Sequence, residues 1–261
     1  MATLTTADPR SDVAPDVRGQ RRSTLLFWFG MPAFLVTVWV ATYLVISSRE
    51  LDSIEQRTLN YSQLRDSVVE HLQLTVVSTI VVILLAIPLG VIATRPFARR
   101  AVPGILGVAN IGQGVPSYGL LAIVVVLWTV GFWPVVIGLV AYSALPIVRN
   151  TMVGLQQVDR SLIKASRGMG MSAVHVLFRV ELPLAIPVMI AGIRTALILN
   201  VGTATLATFF AGGGLGYIIF NGIQLNRSPV LYAGVIMVSS LALLVDYLGK
   251  AAGRLLAPKG L

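Results

Sequence analysis

Residues 101–148 read AVPGILGVANIGQGVPSYGLLAIVVVLWTVGFWPVVIGLVAYSALPIV and contain no charged side chain. A helix that crosses the hydrocarbon core of a bilayer needs about 20 apolar residues, so this stretch is long enough for two spans. Residues 131–134 (GFWP) are the best place for the break between them, because glycine and proline disfavour a continuous helix. The stretch therefore predicts a pair of membrane helices.

The composition of the whole chain is typical of a membrane protein. Hydrophobic residues make up 56% of its 261 residues and charged residues 12%, whereas soluble domains carry about 25% charged residues. The mean hydropathy is +0.82. The net charge of +9 would suggest nucleic-acid binding in a soluble protein, but no basic stretch has the length or the interleaved aromatic residues for it. We predict an all-α integral membrane protein that contacts the lipid bilayer and no nucleic acid; without cysteine it has no disulfide or thiolate metal site.

Four further apolar stretches bring the prediction to about six transmembrane helices: residues 25–46, 72–94, 184–210 and 228–248. The first is too long for a signal peptide and no small-residue cleavage site follows it, so we expect a retained helix. Residues 47–70 are polar and acidic, which predicts an external loop that ends in an approach helix. Residues 212–216 (GGGLG) disfavour a regular helix and predict a broken or re-entrant segment buried in protein.

Six spans place both termini on the same side of the membrane. The loops and tails on that side hold most of the basic residues: Arg10, Arg18, Arg21, Arg22, Arg95, Arg99, Arg100, Arg149, Arg160, Lys164, Arg167, Arg179, Lys250, Arg254 and Lys259. The opposite loops hold Arg49, Arg57, Arg65 and Arg227. Because positive charge is retained in the cytoplasm, we predict cytoplasmic tails at 1–24 and 250–261, an extra first helix at 25–46, the external loop at 47–70 and a core at 71–249.

Residues 159–183, DRSLIKASRGMGMSAVHVLFRVELP, form a long polar stretch between two spans. Asp159 can cap a short helix, and Gly168 or Gly170 can end it. Ser172 can cap a second short helix, which Pro183 limits. The second helix has an apolar face made by Ala173, Val176, Leu177 and Val180. Two capped helices would make a knob through which a soluble partner can apply force, and the alternative is a solvated loop on the membrane surface.

This stretch resembles the cytoplasmic signature of binding-protein-dependent ABC permeases, which reads E-A-A, three residues, G, nine residues, and I-x-L-P. The chain has KAS at 164–166, Gly170 after three residues, and VELP at 180–183 after nine more. In the family this loop is a coupling helix that docks into a groove of the ATP-binding subunit. The resemblance assigns that coupling role to Asp159, Lys164, Ala165, Ser166, Gly168, Gly170, Leu182 and Pro183. Ser166, Val180 and Lys164 depart from the signature, and Lys164 reverses the charge of its glutamate.

Other motifs resemble permeases for glycine betaine, carnitine and choline. They are PLG at 88–90, QGVPS at 113–117, LPIVRNT at 145–151, GMGM at 168–171 and the run from 192 to 216, so that the resemblance covers more than half of the chain. Gly114 and Val115 depart from the Thr-Ile that is usual there. The resemblance implies a type I ABC importer permease core in a bacterial cell membrane. It also implies partners: ATP-binding subunits, an extracytoplasmic substrate-binding protein and a second permease subunit, identical or paralogous.

The sequence contains no G-x-x-x-x-G-K-[ST] loop, which is the motif that cradles ATP phosphates. We therefore expect ATP and Mg on the partner ATPase, no cofactor or metal on this chain, and a transport subunit rather than an enzyme. The alternatives are an ABC permease for another small solute such as an amino acid, and a secondary transporter. A secondary transporter would need acidic groups inside its spans. The predicted spans contain almost none, and Asp246 is the exception.

Polar residues inside spans give two sets of pathway candidates, because such residues tend to face the bundle interior or a cavity. Gln113, Pro116 and Ser117 interrupt the third span, as the hinge of a gate or as an ordinary proline kink. Asn200 and Thr203 lie on one face of the fifth span with Gly192, Ala196 and Ala207. This stripe either lines the pathway or lets helices approach closely. Arg194 can pair with Asp246 or extend to the membrane interface.

Overall fold

The computed structural model describes residues 26–256, and every regular element in that range is helical. The α-helices are α1 (Met31–Ser47), α2 (Ser53–Thr58), α3 (Tyr61–Ala93), α4 (Val102–Gly114), α5 (Ser117–Leu127), α6 (Phe132–Gln156), α7 (Arg160–Gly168), α8 (Ala173–Val176), α9 (Leu182–Ala204), α10 (Gly216–Gln224) and α11 (Ser228–Leu256). Turns of π-helix cover Leu26–Gly30 and Leu177–Glu181, and 3-10 turns cover Pro96–Ala98 and Thr205–Phe210. The predicted tail at 1–24, with Arg10, Arg18, Arg21 and Arg22, and the end of the C-terminal tail, with Lys259, lie outside the described residues.

Five helical segments of the described chain are long and apolar enough to cross a membrane, or six when the bent pair α4–α5 counts as one span. The prediction of about six transmembrane helices in an all-α protein is confirmed. α1 packs against α11, and most of its side chains are exposed, Trp39 and Tyr43 among them. An apolar helix with so little buried surface is stable in lipid, where no water penalises its exposed face.

α6 is the centre of the bundle and packs against α3, α4, α5 and α9. One apolar cluster joins Val135 and Leu139 of α6 to Leu74 and Leu121, and a second cluster surrounds Ile147. The contact between α6 and α9 is close because Gly192 carries no side chain. A Cβ at this position would lie 2.7 Å from the carbonyl oxygen of Pro146. Small residues allow this approach between membrane helices.

Residues 101–148 form two membrane segments, as predicted, and the second begins at Phe132 after Gly131. The first segment is not one straight span, because α4 and α5 meet at an angle of 104°. Pro116 has no backbone N–H and restricts the residue before it to an extended conformation, and Val115 has ψ 137°. The helical path therefore ends at Gly114 and restarts in another direction.

The predicted approach helix at the end of 47–70 is confirmed, and it continues without a break into the span predicted from residue 72. The continuous α3 begins at Tyr61 because the Asn60 side chain accepts a hydrogen bond from the Gln63 backbone N–H and caps the helix. The prediction that Pro183 limits the helix after Ser172 is wrong. Pro183 lies in the first turn of α9, where its missing N–H is tolerated, and the π-helical turn Leu177–Glu181 joins α8 to α9.

We expect Gly192→Ala to destabilise the protein by about 1–3 kcal/mol, because the added methyl group overpacks the contact between α6 and α9. Gly202→Ala on the same helix is the matched control, since a Cβ there meets no atom within 4 Å. The apparent melting temperature of each purified variant in detergent measures the difference. Equal melting temperatures would contradict the close contact.

Candidate coupling surface and transport pathway

The two short helices of the segment 159–183, α7 and α8, each begin at a side-chain N-cap. The Ser161 backbone N–H donates to Asp159 Oδ1 at 2.8 Å, and the His175 backbone N–H donates to Ser172 Oγ at 3.3 Å. The backbone and hydroxyl of Ser161 also hold the pKa of Asp159 below its usual value. Both predicted N-caps are confirmed.

The end of α7 is a Schellman motif, and Gly170 is the residue that closes it. The Gly170 N–H donates to the Arg167 carbonyl at 3.0 Å, and the Met171 N–H donates to the Ser166 carbonyl at 3.2 Å. Gly170 has φ +86°, a left-handed conformation that costs a side-chain-bearing residue about 1–2 kcal/mol. Of the two glycines that the sequence offered, Gly168 remains inside the helix.

These turns present an exposed apolar surface, which we call the coupling surface: Leu162 (47% exposed), Met169 (77%), Val174 (65%) and Phe178 (64%). Val176 of the predicted apolar face points inward and is 1% exposed, with Leu177 and Val180 half-buried. The sequence analysis identified this inward face and missed the outward one. Val174 and Phe178 are four residues apart, so they lie on one face of the helix, and this spacing could have predicted the outward apolar face.

The candidate coupling residues fall into three structural groups. Asp159, Lys164, Ala165, Gly168 and Gly170 are exposed beside the coupling surface. Ser166 is buried, which requires a small side chain there. Leu182 and Pro183 are half-buried in the first turn of α9. Their role in coupling stays a prediction.

A buried ion pair fixes the coupling segment to the end of α3. Arg95 Nη2 lies 2.5 Å from Glu181 Oε2, and Arg95 Nη1 lies 3.4 Å from Glu181 Oε1. The Glu181 side chain is 9% exposed and that of Arg95 is 25% exposed. A two-point contact between a guanidinium and a carboxylate sets orientation as well as distance. Sequence analysis did not pair these residues.

The stripe on the fifth span is buried inside the subunit. Asn200 is fully buried, and its Nδ2 donates to Thr79 Oγ1 of α3 at 3.1 Å. Thr203 and Ala196 are also buried. This burial supports the interpretation that the stripe lets helices approach closely. In this conformation Asn200 is fully buried and Thr203 is 8% exposed, so little of either side chain is accessible to a solute.

The other pathway candidates lie at the junction of α4 and α5. Gln113 and Ser117 are half-buried and Pro116 is exposed. Next to them, Tyr118 contacts the rings of Phe209 and Phe210 at centroid distances of 5.7 and 5.2 Å. The helix break thus packs against the 3-10 turn that ends the fifth span. The junction interrupts the helix, and its role as a gate stays a prediction.

The glycine-rich turn after that 3-10 turn is held by two side chains of α3. The Gly214 N–H donates to Glu70 Oε2 at 2.8 Å, and the Leu215 N–H donates to His71 Nδ1 at 3.3 Å. His71 Nε2 lies 3.0 Å from the Val201 carbonyl. Because Nδ1 accepts, Nε2 carries the proton and donates, so the imidazole is neutral. The predicted broken segment is confirmed, and Leu215 within it is buried.

The fold and these local motifs agree with one protein family. The family model for the binding-protein-dependent transport system inner membrane component matches residues 86–259. The chain belongs to this family. The match includes the whole coupling segment and both helix breaks.

Named relatives in this permease family are similar over most of their length. The choline transport system permease protein OpuBB of Bacillus subtilis (strain 168) is 41% identical, over 74% of this chain and 88% of the relative. The glycine betaine/carnitine/choline transport system permease protein OpuCB of the same organism is 40% identical over the same shares. Among solved structures, an inward-facing conformation of the MetNI methionine ABC transporter has 26% identity and a TM-score of 0.66, covering 75% of this chain and 96% of that chain.

We expect Arg95→Gln to destabilise the permease by on the order of 3 kcal/mol, since it leaves the buried Glu181 carboxylate without its partner. Glu181→Gln costs less, because Arg95 is more exposed and reaches water. Adding Glu181→Gln to Arg95→Gln should recover part of the loss. Thermal unfolding of the purified chain measures all three, and Arg65→Gln in the exposed Arg65–Asp66 pair is the control, at about 0–1 kcal/mol. Equal effects of Arg95→Gln and Arg65→Gln would contradict a structural role for the buried pair.

We expect Gly170→Val to lower the solute transported per ATP hydrolysed without preventing membrane insertion, because valine cannot adopt the left-handed turn without strain. Gly104→Val in α4 is the control, since Gly104 is helical, lies outside the coupling segment, and a Cβ there meets no atom within 4 Å. Uptake and hydrolysis are measured together in proteoliposomes that contain the assembled importer. Equal coupling in the two variants would show that the Schellman turn has no part in transport.

Proposed function

We propose that this chain is the membrane-spanning subunit of an ATP-driven importer for quaternary ammonium osmoprotectants such as glycine betaine, carnitine or choline. The observation that carries the proposal is the 41% identity to a permease named for choline transport, over 74% of this chain. Support also comes from relatives of Salmonella typhimurium that are named osmoprotectant import permeases, at 36% and 35% identity. An amino-acid importer is the second candidate, on the weaker likeness to MetNI at 26% identity.

In this proposal the ATP-binding subunits dock on the coupling surface. Met169, Val174 and Phe178 offer an apolar contact, and Arg160 and Arg179 beside them are exposed cations. α8 continues through the π-helical turn into α9, so a force on the coupling surface acts directly on a membrane helix. ATP and Mg stay on the partner, since the sequence has no phosphate-binding loop.

The solute pathway is proposed to run between two permease subunits rather than through one. Support comes from the packing of the single subunit, where Asn200 and Ser143 are fully buried. Exposed side chains at the bent helix pair, such as Ile111 and Tyr118, remain for contact with a second subunit. A helix break needs protein or water rather than lipid around its free backbone groups. The second subunit, identical or paralogous, would supply that cover, and a binding protein would deliver the solute.

The proposed orientation places the coupling surface and both termini in the cytoplasm of a bacterial cell. It rests on the positive residues around the coupling segment and at the end of α11. On the other side, Arg227 pairs with Asp52 at 2.9 Å, so one of the few basic residues assigned to the external face is neutralised. The basic residues of the predicted N-terminal tail support this orientation by their sequence, since the tail lies outside the described residues.

We expect the assembled importer to take up labelled glycine betaine in proteoliposomes, with competition by choline or carnitine and none by methionine. ATP hydrolysis should appear only when the cognate ATPase is present, and the purified chain alone should hydrolyse none. Competition by methionine together with indifference to every quaternary amine would move the protein to the amino-acid alternative. ATP hydrolysis by the purified chain alone would contradict the proposal that the partner subunit binds and hydrolyses ATP.

A further inference from the structure

A groove of about 540 Å³ separates α9 from α11 near the C-terminal end of α11. We call it the basic groove, and its lining is Pro187, Ile190, Ala191, Arg194, Gly249, Lys250, Gly253 and Arg254. Its apolar side chains come from α9, and its three cations come from α9 (Arg194) and α11 (Lys250 and Arg254). This combination of charge and apolar surface is not used by the coupling surface or by the helix breaks.

The groove exists because α11 has glycine at two positions that face α9. A Cβ on Gly249 would overlap Cγ of Arg194, so the Arg194 side chain can lie across α11 only where this residue is glycine. A Cβ on Gly253 would lie 3.3 Å from Ile190 Cγ2. The sequence thus leaves room for a long cationic side chain and for additional atoms beside it.

Beside the groove, the Asp246 carboxylate contacts two of the cations that line it. Arg194 donates to Asp246 Oδ1 from Nε at 3.2 Å and from Nη2 at 2.5 Å, and Lys250 Nζ lies 2.6 Å from Asp246 Oδ2. The prediction that Arg194 pairs with Asp246 is confirmed. A guanidinium has five N–H donors and an ammonium has three, so most of these donors have no acceptor in the pair. The side chains of Arg194 and Lys250 are 27% and 44% exposed, which leaves the donors accessible.

The depth of the groove matches a lipid headgroup. Residues 228–245 of α11 are uncharged, and about 20 residues cross the hydrocarbon core. Asp246, Lys250 and Arg254 therefore fall at the boundary between the acyl chains and the headgroups. Exposed Pro187 and Ala191 of α9 lie between Arg194 and the cytoplasmic start of that helix, at the depth of the headgroups.

We propose that the basic groove binds the phosphate group of an anionic phospholipid of the inner leaflet. The phosphate accepts hydrogen bonds from Arg194 and Lys250, whose positions Asp246 fixes, and the headgroup beyond the phosphate lies against Ile190 and Ala191, toward the cytoplasmic end of α9. Arginine suits this role because its planar donors match phosphate oxygens. Basic pockets between membrane helices on the cytoplasmic side suit anionic headgroups. The inference uses the proposed orientation of the chain but not the identity of the transported solute.

The test is lipid retention by the full-length chain, purified with the subunits that assemble with it. Complexes are equilibrated in phosphatidylcholine nanodiscs with a graded fraction of phosphatidylglycerol, released into mild detergent, and examined by native mass spectrometry. We expect one phosphatidylglycerol retained per permease chain, and about fivefold less retention after Lys250→Gln. Arg100→Gln is the matched control, because it removes an exposed charge near the same membrane surface, outside the groove.

A second variant keeps the test independent of the ion pair. Ala191→Phe fills the groove without changing any charge, and it should lower phosphatidylglycerol retention while uptake of the solute still reports a folded importer. Inorganic phosphate at millimolar concentration should leave the lipid in place. Equal retention of phosphatidylcholine and phosphatidylglycerol, equal loss in Lys250→Gln and Arg100→Gln, or replacement of the lipid by free phosphate would each overturn the proposal.

Discussion

A bilayer offers no water to the backbone, so every interruption of a membrane helix must find its hydrogen-bond partners within the protein. Two interruptions in the described part of this chain meet that requirement with partners far away in sequence. The N–H of Gly131, before α6, donates to the Phe210 carbonyl at the end of the fifth span. The glycine turn that follows donates to Glu70 and His71 of α3. The long α3, which starts well before the apolar stretch, is therefore needed to complete the backbone of segments far away in sequence.

The fifth span connects these interruptions to the coupling surface. At one end it continues from α8 through the π-helical turn, where Glu181 binds Arg95, two residues after the end of α3. At the other end its 3-10 turn contacts Tyr118, beside the junction of α4 and α5. Between the two ends Gly192 lies directly on the α6 backbone, so the helix cannot slide without disturbing α6. A displacement applied at the coupling surface therefore acts on a span whose far end contacts Gly131 and the junction of α4 and α5.

Sequence reasoning succeeded where the determining contacts are local. Asp159, Ser172 and Gly170 act on backbone groups within a few residues, so their roles follow from spacing. The number of spans follows from hydropathy alone. The family resemblance read from the coupling motif was correct for the same reason, since its spacing reflects these local turns. The rule that proline ends a helix gave a wrong prediction at Pro183, because the π-helical turn before it lets the helix continue into α9.

The pairs that hold the bundle together were beyond sequence reasoning because their members are far apart in the chain. Arg95 and Glu181, or Glu70 and Gly214, are brought together only by the packing of α3, α6 and α9. Helical periodicity showed that Asn200 and Thr203 share a face, but it cannot show what that face contacts. Arg194 and Asp246 were matched because a charge inside a span requires a partner and few were available.

One acid on α11 allows two cations to lie close together at the boundary of the membrane. Without Asp246, Arg194 and Lys250 would lie near each other with no opposite charge between them, and the half-buried Arg194 would lose part of its hydration without compensation. Asp246 contacts both, yet a single carboxylate cannot neutralise two cations, so the site keeps a net positive charge. Gly249 then determines where the Arg194 side chain lies, since any side chain at position 249 would displace Arg194 from α11. The excess charge is therefore held at a fixed depth and in a fixed direction, which a pair of freely extending side chains would not achieve.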